Sequence, residues 1–446
     1  MKRTDHFTTG PILGPLIRFA LPVLLALLLQ TLYGAVDLLV VGQFGTAADV
    51  SGVSTGSQLM HTITVVITGL SMGLTVLVGR KIGEGRAQEA GEIIGSGMWL
   101  FGALALLVSV TMTLLAAPLA ALMQAPAEAF DQTASYIRIC CAGAVFIVAY
   151  NLIGSVFRGI GDSNMPLLTV AMASALNVAG DLLLVAVFRL GAAGAAIATV
   201  FAQAVSVLLS LIIIRRRTLP FTVTRAAFKA KRNLIKAILR LGTPIALQDL
   251  LVSISFLVIM AIVNGLGLIA SAGVGVAEKL CGFLMLVPSA YMQAMSAFVA
   301  QNIGARRPDR ARRALLCGIA TSLAVGVCMG VFTFLRGELL AGLFARDTAV
   351  IAAAAEYLKA YAIDCVLTSF LFCFIGYFNG LGATTFVMLQ GVVSAFGVRI
   401  PVSWLMSRRA PVSLFHIGLA TPCSTILQIV LCFIALSFYR KKEPVQ

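Results

Sequence analysis

Apolar residues run along this chain in long blocks, separated by short polar or basic stretches. Twelve blocks reach the roughly 20 residues that a helix needs to cross about 30 Å of hydrocarbon. They fall at 14–41, 53–78, 93–115, 134–157, 165–187 and 191–214, then at 241–263, 269–299, 314–335, 350–378, 385–406 and 412–438. None shows the alternation of a barrel strand. Backbone groups in lipid must also bond within their own element, so each block predicts a helix. Several blocks are longer than a perpendicular crossing requires, which predicts tilt, bending or protrusion beyond the bilayer.

Composition agrees with the pattern. Of 446 residues, 59% are hydrophobic and 11% charged, against roughly 25% charged in soluble globular chains. Low charge and high hydrophobicity also exclude disorder. The net charge of +15 does not indicate nucleic acid, because the basic residues are confined to short loops between apolar blocks. With the N-terminus inside, the far side collects only Arg189, Arg336, Arg346, Arg408 and Arg409 among the loop cations. That bias predicts a multi-pass protein of the cell membrane with both termini cytoplasmic.

The chain is duplicated. Arg18-Phe-Ala-Leu-Pro22 opens the first block and Arg240-Leu-Gly-Thr-Pro244 opens the seventh. Val78-Gly-Arg-Lys-Ile82-Gly83 and Val299-Ala-Gln-Asn-Ile303-Gly304 close the second and eighth. Phe157-Arg-Gly159-Ile-Gly161 and Phe378-Asn-Gly380-Leu-Gly382 follow the fourth and tenth. Six spans per copy is an even number, so the copies share one orientation, as in parallel-repeat transporters. The predicted fold is an all-α polytopic membrane protein: a first lobe over 1–214, a basic cytoplasmic linker over 215–239 and a second lobe over 240–446. Two such lobes make a cleft, and rocking about it gives alternating access. In the linker Phe221, Phe228, Leu234 and Ile238 lie among basic residues. They suit either an interfacial helix on anionic lipid or plain positive-inside anchoring.

Enzyme chemistry finds no support. There is no Gly-Lys pair for a P-loop and no GxGxxG or HExxH motif. GxSxG occurs at Gly52–Gly56 and Gly69–Gly73, but inside an apolar helix rather than at a strand–turn–helix elbow. Small residues four apart instead allow close helix contact. The nine cysteines contain no CxxC pair and read as small core residues. His6, His61 and His416 are too scattered for a metal site.

Ionisable groups at membrane depth are costly and mark function by default. Asp37 in span 1 and Asp181 in span 5 each lie roughly 9 Å from the outer helix end at 1.5 Å per residue. Thr199 lies at a similar depth in span 6, and Asn177 precedes Asp181 by one turn on the same face. These four offer a hard oxygen set, suited to a proton or Na⁺. Two carboxylates close together in low dielectric cannot both stay ionised cheaply, so such a pair can load a proton and release it on rehydration. The second lobe has no equivalent, since Asp37 maps to Ile259 and Asp181 to Val402. It carries instead Asp249, Glu278 with Lys279, Asp364 and Arg399, of which Asp364 and Arg399 suit either a substrate contact or a structural ion pair.

The ordered set of Pro22, Asp37, Phe157-Arg-Gly-Ile-Gly-Asp162 and Leu176-Asn177-Val-Ala-Gly-Asp181 resembles the multidrug and toxic compound extrusion (MATE) transporters, over nearly the whole chain. It leans toward the prokaryotic, DNA-damage-inducible-like branch. The resemblance implies a monomeric exporter of cationic amphiphilic molecules, driven by inward H⁺ or Na⁺, with V-shaped lobes around a central cleft. It implies a cation site at Asp37, Asn177, Asp181 and Thr199, with Tyr33 and Asn151 in the supporting polar network and a helix bend at Pro22. Asp249, Asp364 and Arg399 are carried over only as contacts in the second lobe. No cofactor is implied, Na⁺ entering only as a coupling ion. Met60, Met72, Met285, Met292 and Met295 are candidates for an adaptable cleft lining. A flippase for a lipid-linked precursor is the alternative within the wider superfamily. It predicts several buried basic residues where this chain places mostly acids.

Overall fold

The computed structural model describes residues 7–221 and 229–442, with side chains through residue 439. Among the described residues there are helices and turns and no strand. The first half contains α1 (Leu13–Phe44), α2 (Ala47–Gly83), α3 (Ala87–Leu114), α4 (Ala116–Leu122), α5 (Phe130–Ala142), α6 (Ala144–Ile160), α7 (Asn164–Asp181) and α8 (Gly191–Arg215). The second contains α9 (Arg232–Asn264), α10 (Leu268–Leu284), α11 (Leu286–Gly304), α12 (Pro308–Gly342), α13 (Thr348–Gly380), α14 (Thr384–Ser394), α15 (Ile400–Arg408), α16 (Leu414–Gly418) and α17 (Ala420–Lys442). Eleven segments are long and apolar enough to cross a membrane, and the bent pair α5 and α6 makes up to twelve.

The fourth predicted span is not one straight helix. It breaks at Gly143, where Ala127–Ala142 and Ala144–Ile160 meet at 52°. Val200 of α8 fills the space that a side chain at Gly143 would need. Other spans outrun the bilayer: α2 has 37 residues and α12 has 35, so at 1.5 Å per residue each exceeds about 30 Å of hydrocarbon by a wide margin.

The chain forms two compact units. The first comprises residues 1–10, 18–246 and 300–306, and the second comprises 11–17, 247–299 and 307–446. In the first unit α2 and α6 are central, packing on each other and on α3, α5 and α8. In the second, α13 takes that place, against α10, α12 and α17. The end of α11 is tied into the first unit: Gln301 Nε2 donates to the Gly159 carbonyl at 2.9 Å and Asn302 Nδ2 to the Phe7 carbonyl at 3.1 Å.

Both GxSxG segments prove to be helix-packing devices. A Cβ at Gly69 would stand 2.6 Å from Ala246 Cα, and one at Gly73 would stand 2.6 Å from Gly242 N. At Gly52 it would stand 2.8 Å from Gln132 Cβ. Backbone therefore touches backbone where α2 crosses α9, a contact available only to residues without side chains. Gly73→Ala is expected to destabilise the protein by about 1–3 kcal/mol, since neither backbone has a rotamer to yield. A lowered midpoint in thermal unfolding of the detergent-purified protein would show it, and an unchanged midpoint would contradict the contact.

The linker is strapped to protein. Phe221 lies against Gly91, where an added Cβ would meet its ring at 3.2 Å. Lys231 Nζ pairs with Glu92 Oε2 at 2.6 Å. Ile238 is fully buried in the first unit's core, with Leu234 and Phe221 packed around it. These three apolar residues thus cover α3 rather than form a separate interfacial helix, and Phe228 lies outside the described residues.

Candidate functional site

The site of the first unit is assembled by α1, α7 and α8. Asn177 and Asp181 are one turn apart on α7, so their side chains share a face. Gly180 lets α8 come close: an added Cβ there would stand 2.9 Å from Ala198 Cβ. That approach brings Thr199, the next residue, against Asn177. The Asn177 amide donates to Thr199 Oγ1 at 3.2 Å, and the Thr199 hydroxyl donates to Asp37 Oδ2 at 3.3 Å. The Asp37 side chain also reaches Asn177 and the Asp181 carboxyl. All four residues predicted for the cation site therefore meet in one cluster.

The cluster is dry and short of donors. Asp37 is 5% exposed, Asn177 2% and Asp181 0%. Among the described residues, Asp37 Oδ1, Asn177 Oδ1 and both Asp181 oxygens find no hydrogen-bond partner. A buried carboxylate without a donor is costly. The contact between the two carboxyls becomes a hydrogen bond only when one carries a proton, or an attraction only when a cation stands between them. Either solution uses a small, hard cation and no further protein group. Directly after Asp181 the helix changes register: Leu182–Val187 is a π-helical turn, with the Phe188 amide bonded to the Leu183 carbonyl at 3.0 Å. Such bulges are frequent at functional sites because they re-aim side chains and loosen the backbone ladder.

The supporting network differs from expectation. Tyr33, one turn before Asp37 on α1, lies near Gln203. Gln203 follows Thr199 by one turn on α8, is 9% exposed and keeps Oε1 unpartnered. The sequence reading missed it, although an amide four residues after Thr199 in an apolar helix was the signal available. Asn151 points elsewhere: it accepts from Thr68 Oγ1 at 3.1 Å and donates to the Ile147 carbonyl at 2.9 Å. Its place is therefore the α2–α6 interface, since both its polar atoms are already engaged there. Pro22 is buried inside an uninterrupted α1, where its missing N–H leaves one carbonyl of the preceding turn without a helical partner.

In the second unit α9, α13 and α15 bring Arg399 and Asp364 into one neighbourhood. Arg399, 4% exposed, ends the π-helical turn Ala395–Arg399. Its Nη1 donates to Ser255 Oγ at 3.1 Å, and its guanidinium carbon lies 4.4 Å above the Phe256 ring. Asp364, 2% exposed, lies near Thr425 and Arg399, with no ion pair to Arg399 among the described residues. Glu278 is near Tyr357 and keeps Oε1 buried without a partner. Asp249 stands apart, with no charged neighbour among the described residues. Of the methionines, Met60, Met72 and Met295 are core residues.

The MatE family description matches this chain twice, over residues 22–183 and 244–405. The two matches start on Pro22 and Pro244, the prolines that open the two internal copies. The chain is 27% identical over 408 residues to the probable multidrug resistance protein YpnP of Bacillus subtilis (strain 168), covering 91% of each. It is 28% identical over 372 residues to a protein of Shewanella oneidensis named an FAD transporter, covering 81% of this chain and 80% of that one. Among solved structures, an outward-facing multidrug resistance MATE family transporter of the MOP superfamily superposes with a TM-score of 0.92 at 22% identity, covering 99% of both chains.

Proposed function

Since the chain belongs to the MatE family, a family of efflux transporters, we propose that it is a secondary antiporter of the cell membrane, exporting organic cations in exchange for H⁺ or Na⁺. The observation that carries this reading is the donor-poor carboxyl pair of Asp37 and Asp181, closed by Asn177 and Thr199. Ion entry from the outer side neutralises the pair and rehydration on the inner side releases the ion. Loaded and empty states differ in charge inside the hydrocarbon, and that difference is what can bias two conformations of the transporter. Each conformation opens the cargo path to one side, giving alternating access. One chain carries the whole set, so a monomer suffices, and both termini lie in the cytoplasm.

A multidrug relative such as YpnP supports small drug-like cargo. A flippase for a lipid-linked pyrophosphate needs several basic side chains in one buried cluster. The described residues offer Arg80 and Arg158 in the first unit and Arg399 in the second, too few for such a cluster, which argues against that reading. An anionic group on the cargo is a second reading, favoured by the inward-lying Arg158 and by the relative named an FAD transporter.

Proteoliposomes holding the purified chain and a pH-sensitive dye test the coupling. Addition of ethidium on the inside, under an inward H⁺ or Na⁺ gradient, is expected to start ethidium exit together with entry of one of the two ions. Exit that ignores both gradients would refute antiport.

A further inference from the structure

Helix α6 is buried along nearly its whole second half: Tyr150, Ile153 to Phe157, Gly159 and Ile160 are all enclosed. Only Asn151, Leu152 and Arg158 are partly accessible there. Asn151 and Arg158 are seven residues apart and share one face. A guanidinium three residues from the Gly161 turn would ordinarily extend outward to the membrane surface. Arg158 does the opposite. Its Nη2 donates to Ser155 Oγ at 3.1 Å, and an added Cβ at Gly154 would stand 3.1 Å from its Nη1. The side chain therefore lies back along the bare flank of Gly154, toward Tyr150.

Among the described residues the charge has no carboxylate partner. Arg158 Nε is buried without an acceptor. Among the described residues Tyr150 is its electrostatic neighbour and no carboxylate forms an ion pair with it. The nearest acid in sequence, Asp162, is engaged by Arg217 at 2.7 Å and by the amides of Asn164 and Met165. The Tyr150 hydroxyl accepts from Gln30 Nε2 at 3.0 Å, which leaves its own proton free to donate. The corresponding position of the second copy is Asn379, which is neutral. A half-buried cation held inward, with unused donors beside it, is complementary to an oxygen anion.

We propose that Arg158 and Tyr150, seated against Gly154, form a receiving site for an oxyanion group, a carboxylate or phosphate, carried by the transported molecule. The site lets an exporter whose coupling acids are elsewhere accept zwitterionic and anionic cargo as well as simple cations. The word cargo rests on the export reading above. The oxyanion site itself does not.

Rhodamine 110 and rhodamine 123 differ by one methyl ester, the first having a free carboxylate and the second none. Equilibrium binding of each is measured on the full chain in phosphatidylcholine nanodiscs. Wild type is expected to favour rhodamine 110. Arg158→Gln is expected to erase that preference by about tenfold or more, as befits a lost charge-assisted bond, while rhodamine 123 affinity stays put and certifies the fold. Gly154→Ala, which displaces the guanidinium, should weaken rhodamine 110 alone. Wild type without a preference for the acid, or Arg158→Gln that keeps one, overturns the site. Loss of rhodamine 110 binding in phosphatidylglycerol nanodiscs would assign the site to a lipid phosphate and overturn the cargo assignment. Intact binding preference with no gradient-driven exit in proteoliposomes would sink the export reading alone.

Discussion

Asp37→Asn and Asp181→Asn are each expected to reduce gradient-driven efflux to the level of vesicles without protein, while membrane abundance is unchanged. The geometry separates the two effects. In Asp37→Asn the side-chain carbonyl would still accept from Thr199, whose hydroxyl lies 3.3 Å from Asp37 Oδ2. The new amide would donate to Asp181, which has no donor at present. In Asp181→Asn the amide would donate to Asp37 in the same way. Each variant therefore gains a hydrogen bond and loses a like-charge contact, and replacing buried charge by a neutral isostere is often neutral or stabilising. The thermal midpoint should match or exceed wild type. What each variant lacks is the second carboxyl, on which the proposed loading and release of one positive charge depends. Wild-type efflux in both variants would end the coupling role. A fall in abundance without a specific transport defect would mark the pair as a structural tie between α1 and α7.

Arg399→Ala is expected to cost about 2–5 kcal/mol, from the lost packing over the ring and the lost charge-assisted hydrogen bond. The guanidinium is stacked 4.4 Å from Phe256 and bonded to Ser255. Its loss leaves a cavity over the ring and leaves Asp364 buried without its positive neighbour. Arg399→Met should be milder, because the methionine refills the volume. Adding Asp364→Leu to Arg399→Met should restore much of the remaining loss, since the charge left behind is then gone. Thermal unfolding of the purified variants reads this series. Full stability in Arg399→Ala together with lost efflux would instead assign Arg399 to cargo.

The helical spans were legible from block length alone, because lipid leaves a backbone no alternative to internal bonding. The duplication was legible from Pro22 and Pro244 and from the glycines that close the second and fourth spans of each copy. Depth arithmetic was enough to place Asp37, Asn177, Asp181 and Thr199 in one layer, since rise per residue is fixed. Lateral position was not legible. Gln203 and Asn151 are both amides at plausible depth, and only packing put Gln203 beside Tyr33 and turned Asn151 toward Thr68. The bend at Gly143 was equally hidden, because it depends on Val200 from a helix more than fifty residues later in the chain.

The amino-acid order by itself determined which segments enter the membrane, how many there are and which charges travel with them, all consequences of transfer free energy and helix rise. The tertiary structure decided which of those charges are answered. It left Asp181 facing Asp37, laid Arg158 inward along Gly154 and set Arg399 over Phe256. Those outcomes follow from how closely neighbouring helices approach, a distance set by side-chain volumes on two elements at once and written in neither alone.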